Sequence, residues 1–153
     1  MSKRSGKRIL AVASGGGHWV QMMRLRPAFE GYEVAFLSVH PEYQEQVRGH
    51  RLYVVADSNA KNKIAVIKTA WGVWHALRKE RPDVVISTGA APGGLALFFA
   101  KRMGAKTIWL DSIANAEVLS LSGQKAGAYA DLWLTQWPEL AKQDGPEYSG
   151  SVL

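Results

Sequence analysis

Two side chains of this sequence stand where a proton acceptor or a phosphate ligand would be useful. His18 directly follows a run of one serine and three glycines, and Asp111 directly follows the apolar run 106–110. An imidazole in such a place can hydrogen-bond a phosphate or a sugar hydroxyl, or take up the proton of that hydroxyl. A carboxylate can likewise orient a hydroxyl or accept its proton. The plain alternatives are a histidine that caps a turn and an acidic residue in an ordinary loop.

Two glycine-rich stretches each lie between a predicted strand and a predicted helix. The first, residues 14–17 (SGGG), follows the apolar run 9–13, and the second, residues 88–94 (TGAAPGG), follows the run 83–87. Glycines let the backbone approach a ligand closely, and a helix N-terminus offers unpaired N–H groups to an anion. Each stretch is therefore either a phosphate-facing turn or a tight strand-to-helix connection. Neither contains the dinucleotide fingerprint GxGxxG.

Short apolar runs alternate with segments of helical periodicity along the whole chain. The predicted strands cover residues 9–13, 33–39, 51–56, 83–87, 106–110 and 131–136. The predicted helices cover residues 18–29 and 61–81, a segment from Pro92 to about residue 103, and a short turn that stops near Gly123. This alternation predicts an α/β fold with a single Rossmann-like, doubly wound parallel sheet in strand order 3-2-1-4-5-6. In that order both glycine stretches and the loop 111–115 meet at the carboxyl-end crevice, where such sheets bind ligands.

The chain of 153 residues is long enough for one domain, for which we predict three regions. Residues 1–8 form a basic N-terminal arm, residues 9–136 form the Rossmann-like domain, and residues 137–153 form a tail with no evident core to join. We expect the tail to dock on a partner. The net charge of +6 lies at the N-terminal end, on Lys3, Arg4, Lys7, Arg8, Arg24 and Arg26. The arm either binds phosphates, nucleic acid or anionic lipid, or it is a solubilising tail.

Several classes of protein are excluded by what the sequence lacks. It has no cysteine, which excludes disulfides and thiolate metal sites, and it has no P-loop, no GxSxG and no HExxH motif. No apolar run is long enough to span a bilayer, so we expect a cytoplasmic, non-spanning chain. Trp71 and Trp74 lie on a helical segment rich in lysine and arginine. They form either a membrane or partner face, or part of the core.

Three motifs resemble the acceptor-side subunits of two-part UDP-sugar glycosyltransferases. They are SGGGH at residues 14–18, STGAAPG at 87–93, and LDSIANAEVLSLSGQKAGAYADLWLTQWPEL at 110–140. This family comprises the partner subunit of the dolichol-linked N-acetylglucosamine transferase and its bacterial counterparts in exopolysaccharide and capsule assembly. The match runs from Ile9 to Leu153.

The resemblance implies the N-terminal half of a GT-B glycosyltransferase, in which a partner chain binds the UDP-sugar donor and this half faces a lipid-linked acceptor. It implies His18 and Asp111 as catalytic residues. It implies acceptor or diphosphate contacts from Gly15, Gly16, Gly17, Thr88, Gly89, Pro92, Ser112 and Asn115. The further motif positions are Ser120, Ser122 and Gly123. Asp111 stands where the family usually has glutamate, and Asn115 stands where it usually has arginine.

Residues and resemblance together predict one subunit of a metal-independent, inverting glycosyltransferase. It would transfer a sugar from UDP-N-acetylglucosamine or another UDP-hexose to a polyprenyl-diphosphate acceptor. We expect the subunit to need no cofactor of its own, to be inactive without its partner, to bind no nucleic acid, and to be peripheral at the cytoplasmic face of the inner membrane. The alternative is a non-catalytic scaffold that recruits the catalytic partner to an anionic membrane surface. A third possibility is a free-standing nucleotide-binding protein.

Overall fold

A single parallel sheet organises the protein. The computed structural model describes residues 6–58 and 62–152. Within them the strands are β1 (Arg8–Ala13), β2 (Glu33–Ser38), β3 (Leu52–Val54), β4 (Val84–Gly89), β5 (Lys106–Leu110), β6 (Leu132–Thr135) and β7 (Glu147–Tyr148). They are all parallel and lie in the order β3-β2-β1-β4-β5-β6-β7. The predicted order of the first six strands is confirmed, and a seventh strand extends the β6 edge.

Helices cover both faces of this sheet. They are α1 (Gly17–Arg24), α2 (Lys63–Glu80), α3 (Ala90–Arg102) and α4 (Leu121–Ala126) in the described part of the chain. Successive residues of a strand point to opposite faces, so Leu10 and Val12 pack under α2 and α3 while Ala11 and Ala13 pack with Trp19 of α1. The predicted α/β, doubly wound, Rossmann-like sheet is therefore confirmed. No helix among the described residues is long and apolar enough to cross a bilayer.

Several predicted boundaries differ from the structure. The first helix ends at Arg24 and is followed by a 3-10 turn over Arg26–Phe29, because Pro27 cannot continue the α-helical hydrogen bonds. The predicted turn at residues 88–94 is absent, because β4 runs to Gly89 and α3 starts at the next residue. Gly123 lies inside α4 and does not end it. The predicted start of the second helix, Lys61, lies outside the described residues.

The C-terminal tail packs on its own chain. Glu147–Tyr148 pairs with β6, the Trp137 indole N–H donates to the Ile113 carbonyl at 2.7 Å, and the Val152 N–H donates to Oε1 of Gln136 at 2.7 Å. The segment thus extends the sheet at its edge and is held by hydrogen bonds to its own chain. Its proposed docking on a partner stays a prediction. A truncation within the tail would also remove β7 from the sheet.

Arg8 belongs to the fold and not to a free arm. It is the first residue of β1, its N–H donates to Oδ2 of Asp83 at 2.8 Å, and its Nη1 donates to the Glu80 carbonyl at 3.0 Å. The boundary predicted after residue 8 lies one residue inside β1, which begins at Arg8. Because a strand of six residues spans about 20 Å, Arg8 lies at the opposite edge of the sheet from residues 14–17. Lys3 and Arg4 of the predicted arm lie outside the described residues.

Glu80 holds this amino-end edge of the sheet together. The side chain is 5% exposed, Nη2 of Arg51 donates to its Oε2 at 2.9 Å, and the Tyr53 hydroxyl donates to its Oε1 at 2.7 Å. The hydrogen bond from Arg51 is the main reason that the pKa of Glu80 is lowered, although burial opposes it. Burial, with the neighbouring Glu80 carboxylate, raises the pKa of Tyr53 to about 12. The carboxylate of Glu80 is thus a charged anchor of the folded state.

We expect Glu80→Gln to lower the free energy of unfolding by about 1–3 kcal/mol at pH 7, because an amide deprives Arg51 of its buried counter-charge. The folded-state pKa of Glu80 lies below its unfolded value of about 4.3. The contribution is therefore present above that pH and is lost as the pH falls through the folded-state pKa. Urea unfolding from pH 7 to pH 3 should show the two proteins converging at low pH. Glu139→Gln, at an exposed site, is the control, and a constant gap across the pH range would contradict this account.

Candidate functional site

The connection between β1 and α1 places His18 at the carboxyl-end edge of the sheet. Gly16 precedes α1, and His18 is the second residue of that helix. The Nδ1 of His18 lies 3.0 Å from the Thr88 carbonyl oxygen, and the Thr88 hydroxyl donates to the His18 carbonyl at 2.7 Å. Two hydrogen bonds therefore fasten the first turn of α1 to the end of β4, the neighbouring central strand.

The Thr88 carbonyl decides which nitrogen of His18 carries the proton. A carbonyl oxygen only accepts, so Nδ1 is the donor in this bond and must hold a hydrogen. In the neutral imidazole the other nitrogen, Nε2, then keeps its lone pair. Within the described residues no protein group is hydrogen-bonded to Nε2, and the side chain is partly exposed. The bond thus leaves His18 with a free, oriented proton acceptor.

Gly89 allows His18 to sit this close to β4. Its φ of 142° is one that residues with a side chain rarely adopt. A Cβ at this position would lie 2.4 Å from Nδ1 of His18, so the imidazole rests directly against the glycine. Ala90 also has a positive φ, 67°, and the chain therefore turns sharply from β4 into α3. The predicted neighbourhood of His18 and Gly89 is confirmed, while their chemical roles stay predictions.

Asp111 is enclosed and does not face the crevice. Its side chain is 1% exposed, and Oδ1 accepts from the Trp109 indole N–H at 3.1 Å and from the Ser120 hydroxyl at 2.6 Å. Oδ2 accepts from the Ser120 backbone N–H at 3.0 Å. Ser120 in turn caps α4 by accepting from the Gly123 N–H at 2.8 Å, and a Cβ on Gly123 would lie 2.3 Å from Oδ1. The geometry gives Asp111 the task of tying β5 to α4, which does not support the predicted catalytic role.

We expect Asp111→Asn to lower the free energy of unfolding by about 1–3 kcal/mol, because the amide nitrogen cannot accept one of the three donated hydrogen bonds. Thermal or urea unfolding measures the loss, with Asp144→Asn at an exposed site as the control. Unchanged stability combined with an inactive complex would instead point to a chemical role for this carboxylate.

A buried amide network, which the sequence patterns did not predict, fastens the loop after β5 to α1. The Gln21 side chain donates to the Ser112 hydroxyl oxygen at 3.2 Å. Nε2 of Gln136 donates to Oε1 of Gln21 and, at 2.9 Å, to the Asp111 carbonyl. Gln21 and Gln136 are 4% and 2% exposed. The signal in the sequence was the position of Gln21, nearly one helical turn after the histidine and hence on the same helix face.

The segment after β2 covers the glycine turn. Tyr43 lies in the 3-10 helix Pro41–Val47, stacks on Trp19 with ring centroids 4.4 Å apart, and accepts a hydrogen bond from the Gly16 N–H at 3.1 Å. The His40 ring lies against Gly15, where a Cβ would come within 2.6 Å of Nε2. The sequence predicted a polar loop with a short helical turn here. Its packing against the candidate phosphate turn was not anticipated.

The remaining predicted residues fall into two groups. Gly15, Gly16, Gly17, Thr88, Gly89 and Pro92 surround the His18 imidazole or lie in the first turns of α1 and α3. Ser112 and Asn115 lie in the loop after β5, where the Asn115 N–H donates to the Ser112 carbonyl at 3.0 Å. Ser120 and Gly123 belong to the buried unit of Asp111, and Ser122 lies in the first turn of α4. The Asp111 carboxylate is thus bonded to Trp109 and Ser120, and no hydrogen bond joins it to His18 among the described residues.

The strand order and the glycine turn at the β1–β4 switch point define a Rossmann-like domain of the kind that forms the N-terminal half of a GT-B glycosyltransferase. No protein-family model matches the chain. The fold superposes on MurG from Acinetobacter baumannii with a TM-score of 0.75 and 15% sequence identity. The superposition covers 95% of this chain and 46% of MurG, so the chain spans just under half of that protein.

Curated relatives carry the name UDP-N-acetylglucosamine transferase subunit ALG14. The subunit from Eremothecium gossypii is 23% identical, over 90% of this chain and 75% of its own length. The one from Yarrowia lipolytica is 25% identical, over 99% of this chain and 83% of its own length. The resemblance to the subunit family of two-part glycosyltransferases is therefore confirmed.

Proposed function

We propose that this chain is the acceptor-side subunit of a bipartite, inverting glycosyltransferase whose partner chain binds a UDP-sugar. The observation that carries the proposal is the His18 imidazole, which donates from Nδ1 to the Thr88 carbonyl and keeps Nε2 free at the switch-point crevice. The names of the relatives support the reaction class, since both are subunits of a UDP-N-acetylglucosamine transferase. The proposed acceptor is a sugar linked to a polyprenyl diphosphate.

In the proposed reaction Nε2 of His18 accepts the proton of an acceptor sugar hydroxyl as its oxygen attacks the anomeric carbon of the donor. The bond from that carbon to the UDP oxygen breaks while the new bond forms on the opposite face, so the configuration inverts. UDP leaves as an anion held by the partner chain. The imidazolium that forms keeps its hydrogen bond to the Thr88 carbonyl. The step uses no metal ion and no cofactor from this chain.

We place the acceptor diphosphate between the N-termini of α1 and α3. Unpaired N–H groups and the helix dipoles make such a place favourable for an anion. Gly15, Gly17, Gly89 and the loop with Ser112 and Asn115 surround it, whereas the Gly16 N–H is already occupied by Tyr43. A rival function is a non-catalytic scaffold, and the enclosed Asp111 carboxylate favours it, because one of the two predicted catalytic groups is then structural.

Reconstitution tests the proposal. This chain and the UDP-sugar-binding chain that co-purifies with it are purified together, and each chain is also purified alone. All three preparations are assayed for sugar transfer to a polyprenyl-diphosphate-linked acceptor. We expect transfer by the pair and none by either chain alone, because one sheet supplies one wall of the crevice. Robust transfer by this chain alone would overturn the half-enzyme proposal. Transfer by the pair that does not depend on His18 would support the scaffold.

We further propose that the subunit is peripheral at the cytoplasmic face of the membrane and attaches through an α2 face made of Ile64, Ile67 and Trp71. These three side chains are 69%, 67% and 75% exposed, so core packing does not account for Trp71. Trp74, by contrast, is half-buried against Phe99, with ring centroids 5.4 Å apart. Exposed lysines of the same helix complement anionic lipid.

We expect Trp71→Ser to weaken binding to vesicles that contain phosphatidylglycerol by about tenfold, because the indole loses its place in the apolar interface. Sedimentation with vesicles measures this binding, and Tyr32→Ser, at a site 47% exposed elsewhere on the protein, is the control. The effect of Trp71→Ser should persist at high salt, which screens only the lysines. Unchanged sedimentation would exclude the α2 face as the attachment surface.

A further inference from the structure

An apolar groove of about 580 Å³ opens between α2, α3 and α4. Its walls are aliphatic and aromatic side chains, namely Val66, Ile67, Leu95, Ala126 and Tyr129. The charged residues among those that line it are Lys63 and Lys125, both exposed. A groove without acidic groups and with few hydrogen-bonding partners suits an apolar chain attached to an anion.

The groove begins beside the crevice. Ala91 lines it and lies two residues after Gly89, against which the His18 ring rests. Ser122, in the first turn of α4, lines it as well. From there the groove runs to Ile67 and so reaches the exposed α2 face. It therefore connects the candidate phosphate site with the surface proposed to meet the membrane.

We propose that this groove holds the first isoprene units of the acceptor, with the diphosphate at its crevice end. This inference rests on the proposed function and names the part of the substrate that the groove recognises. Lys63 and Lys125 complement the diphosphate or its neighbouring charges, and the apolar walls take the hydrocarbon. The proposed ligand is an isoprenoid diphosphate and not an ordinary membrane lipid, because an ordinary membrane lipid has no diphosphate to place at the crevice end.

Gly94 offers a way to fill the groove without disturbing the fold. It lines the groove within α3, and a Cβ there would meet no atom within 4 Å. Leucine and alanine are both better helix formers than glycine, so neither should weaken α3. Gly94→Leu occupies the space that the chain would take, and Gly94→Ala adds a single methyl. Ala28→Leu adds the same leucine to an exposed site on the other face of the sheet.

Binding to the full chain tests the groove without any transfer reaction. Titration calorimetry compares farnesyl diphosphate with inorganic diphosphate. We expect the farnesyl compound to bind at least about tenfold more tightly to the unmodified chain and to the Ala28→Leu variant. Gly94→Leu should abolish that advantage, and Gly94→Ala should reduce it in part. Equal affinities for the two compounds, or an advantage that survives Gly94→Leu, would overturn the inference.

The assembled complex separates this inference from the proposed function. With a long-chain acceptor Gly94→Leu should raise KM about tenfold, whereas with an acceptor whose diphosphate carries only a methyl group KM should stay unchanged. If the complex transfers no sugar to either acceptor while the chain still prefers farnesyl diphosphate, the proposed function is contradicted and the proposed role of the groove is retained. If Gly94→Leu changes KM equally for both acceptors, the proposed role of the groove is contradicted and the proposed function is retained. A partner chain that fills the groove would show itself by blocking farnesyl diphosphate binding in the complex, which would also overturn the inference.

Discussion

Replacing His18 with alanine should lower the turnover of the assembled complex about 10²–10⁴-fold, the usual cost of losing a general base. The Thr88 carbonyl fixes the hydrogen on Nδ1 and leaves Nε2 as the oriented acceptor, which His18→Ala removes. The fold should survive, because the Thr88 hydroxyl donates to the backbone carbonyl of residue 18, and alanine keeps that carbonyl. Complex formation should survive for the same reason.

Single-turnover transfer at saturating acceptor measures the chemical step. A fall in turnover with unchanged KM identifies a proton acceptor, whereas a higher KM with unchanged turnover identifies a group that positions the diphosphate. His75→Ala, at an exposed site on α2, is the control. Full turnover by the His18→Ala complex would exclude His18 as the base and would support the scaffold function of this chain.

The sheet could be predicted from the sequence because its strands are short apolar runs separated by helical periodicity. Parallel strands joined through helices form right-handed crossovers, and the doubly wound order places β1 and β4 side by side. Both glycine stretches then lie at one edge of the sheet. The junction of β4 and α3 could not be predicted, since composition alone reads residues 88–94 as a turn. The strand continues to Gly89 and the helix starts at once, because two consecutive residues adopt positive φ.

The tail shows a different limit of sequence reasoning. β7 consists of Glu147 and Tyr148, which have no apolar pattern and join the sheet through backbone pairing with Leu134 and Thr135. Such pairing depends on where the β6 edge lies in space, which the local sequence does not report. The amide of Gln136 then accepts from the Val152 N–H and holds the end of the chain.

At the site, topology was predictable and side-chain direction was not. His18 and Gly89 lie together as expected, since His18 follows β1 and Gly89 is the last residue of β4, its neighbour in the sheet. Asp111 follows β5 equally closely, yet its carboxylate turns inward to Trp109, two residues earlier, and to Ser120, nine residues later. Residues i and i+2 share a face of a strand, so the tryptophan before Asp111 was the available sign that the carboxylate had a partner inside.

Gly89→Ala should reduce turnover as severely as His18→Ala. The added Cβ would come within 2.4 Å of Nδ1 and 2.5 Å of Cε1 of His18. Both atoms belong to a rigid ring, so the clash cannot be avoided by bending the end of a flexible side chain. The imidazole must therefore leave the Thr88 carbonyl, and Nε2 loses its direction. The positive φ of 142° adds a backbone strain of about 1–3 kcal/mol for any residue with a side chain.

Gly104→Ala separates the effect of backbone strain from the effect of the clash with His18. Gly104 also has a positive φ, 83°, but a Cβ there would meet no atom within 4 Å. Gly104→Ala should therefore lose stability without losing turnover, while Gly89→Ala loses both. Turnover of the Gly89→Ala complex equal to that of the unmodified complex would show that the contact with His18 is dispensable.

The double variant then decides how Gly89 acts. If the glycine matters because it seats the imidazole, the complex carrying both His18→Ala and Gly89→Ala should be no slower than the complex with His18→Ala alone, since the group to be seated is already gone. If the two losses multiply, Gly89 acts on the acceptor independently, for example by letting the diphosphate approach the start of α3. Turnover of the four complexes, at equal occupancy of the partner chain, measures this coupling. We expect the losses not to multiply, because the nearest atoms to the missing Cβ of Gly89 all belong to the His18 ring.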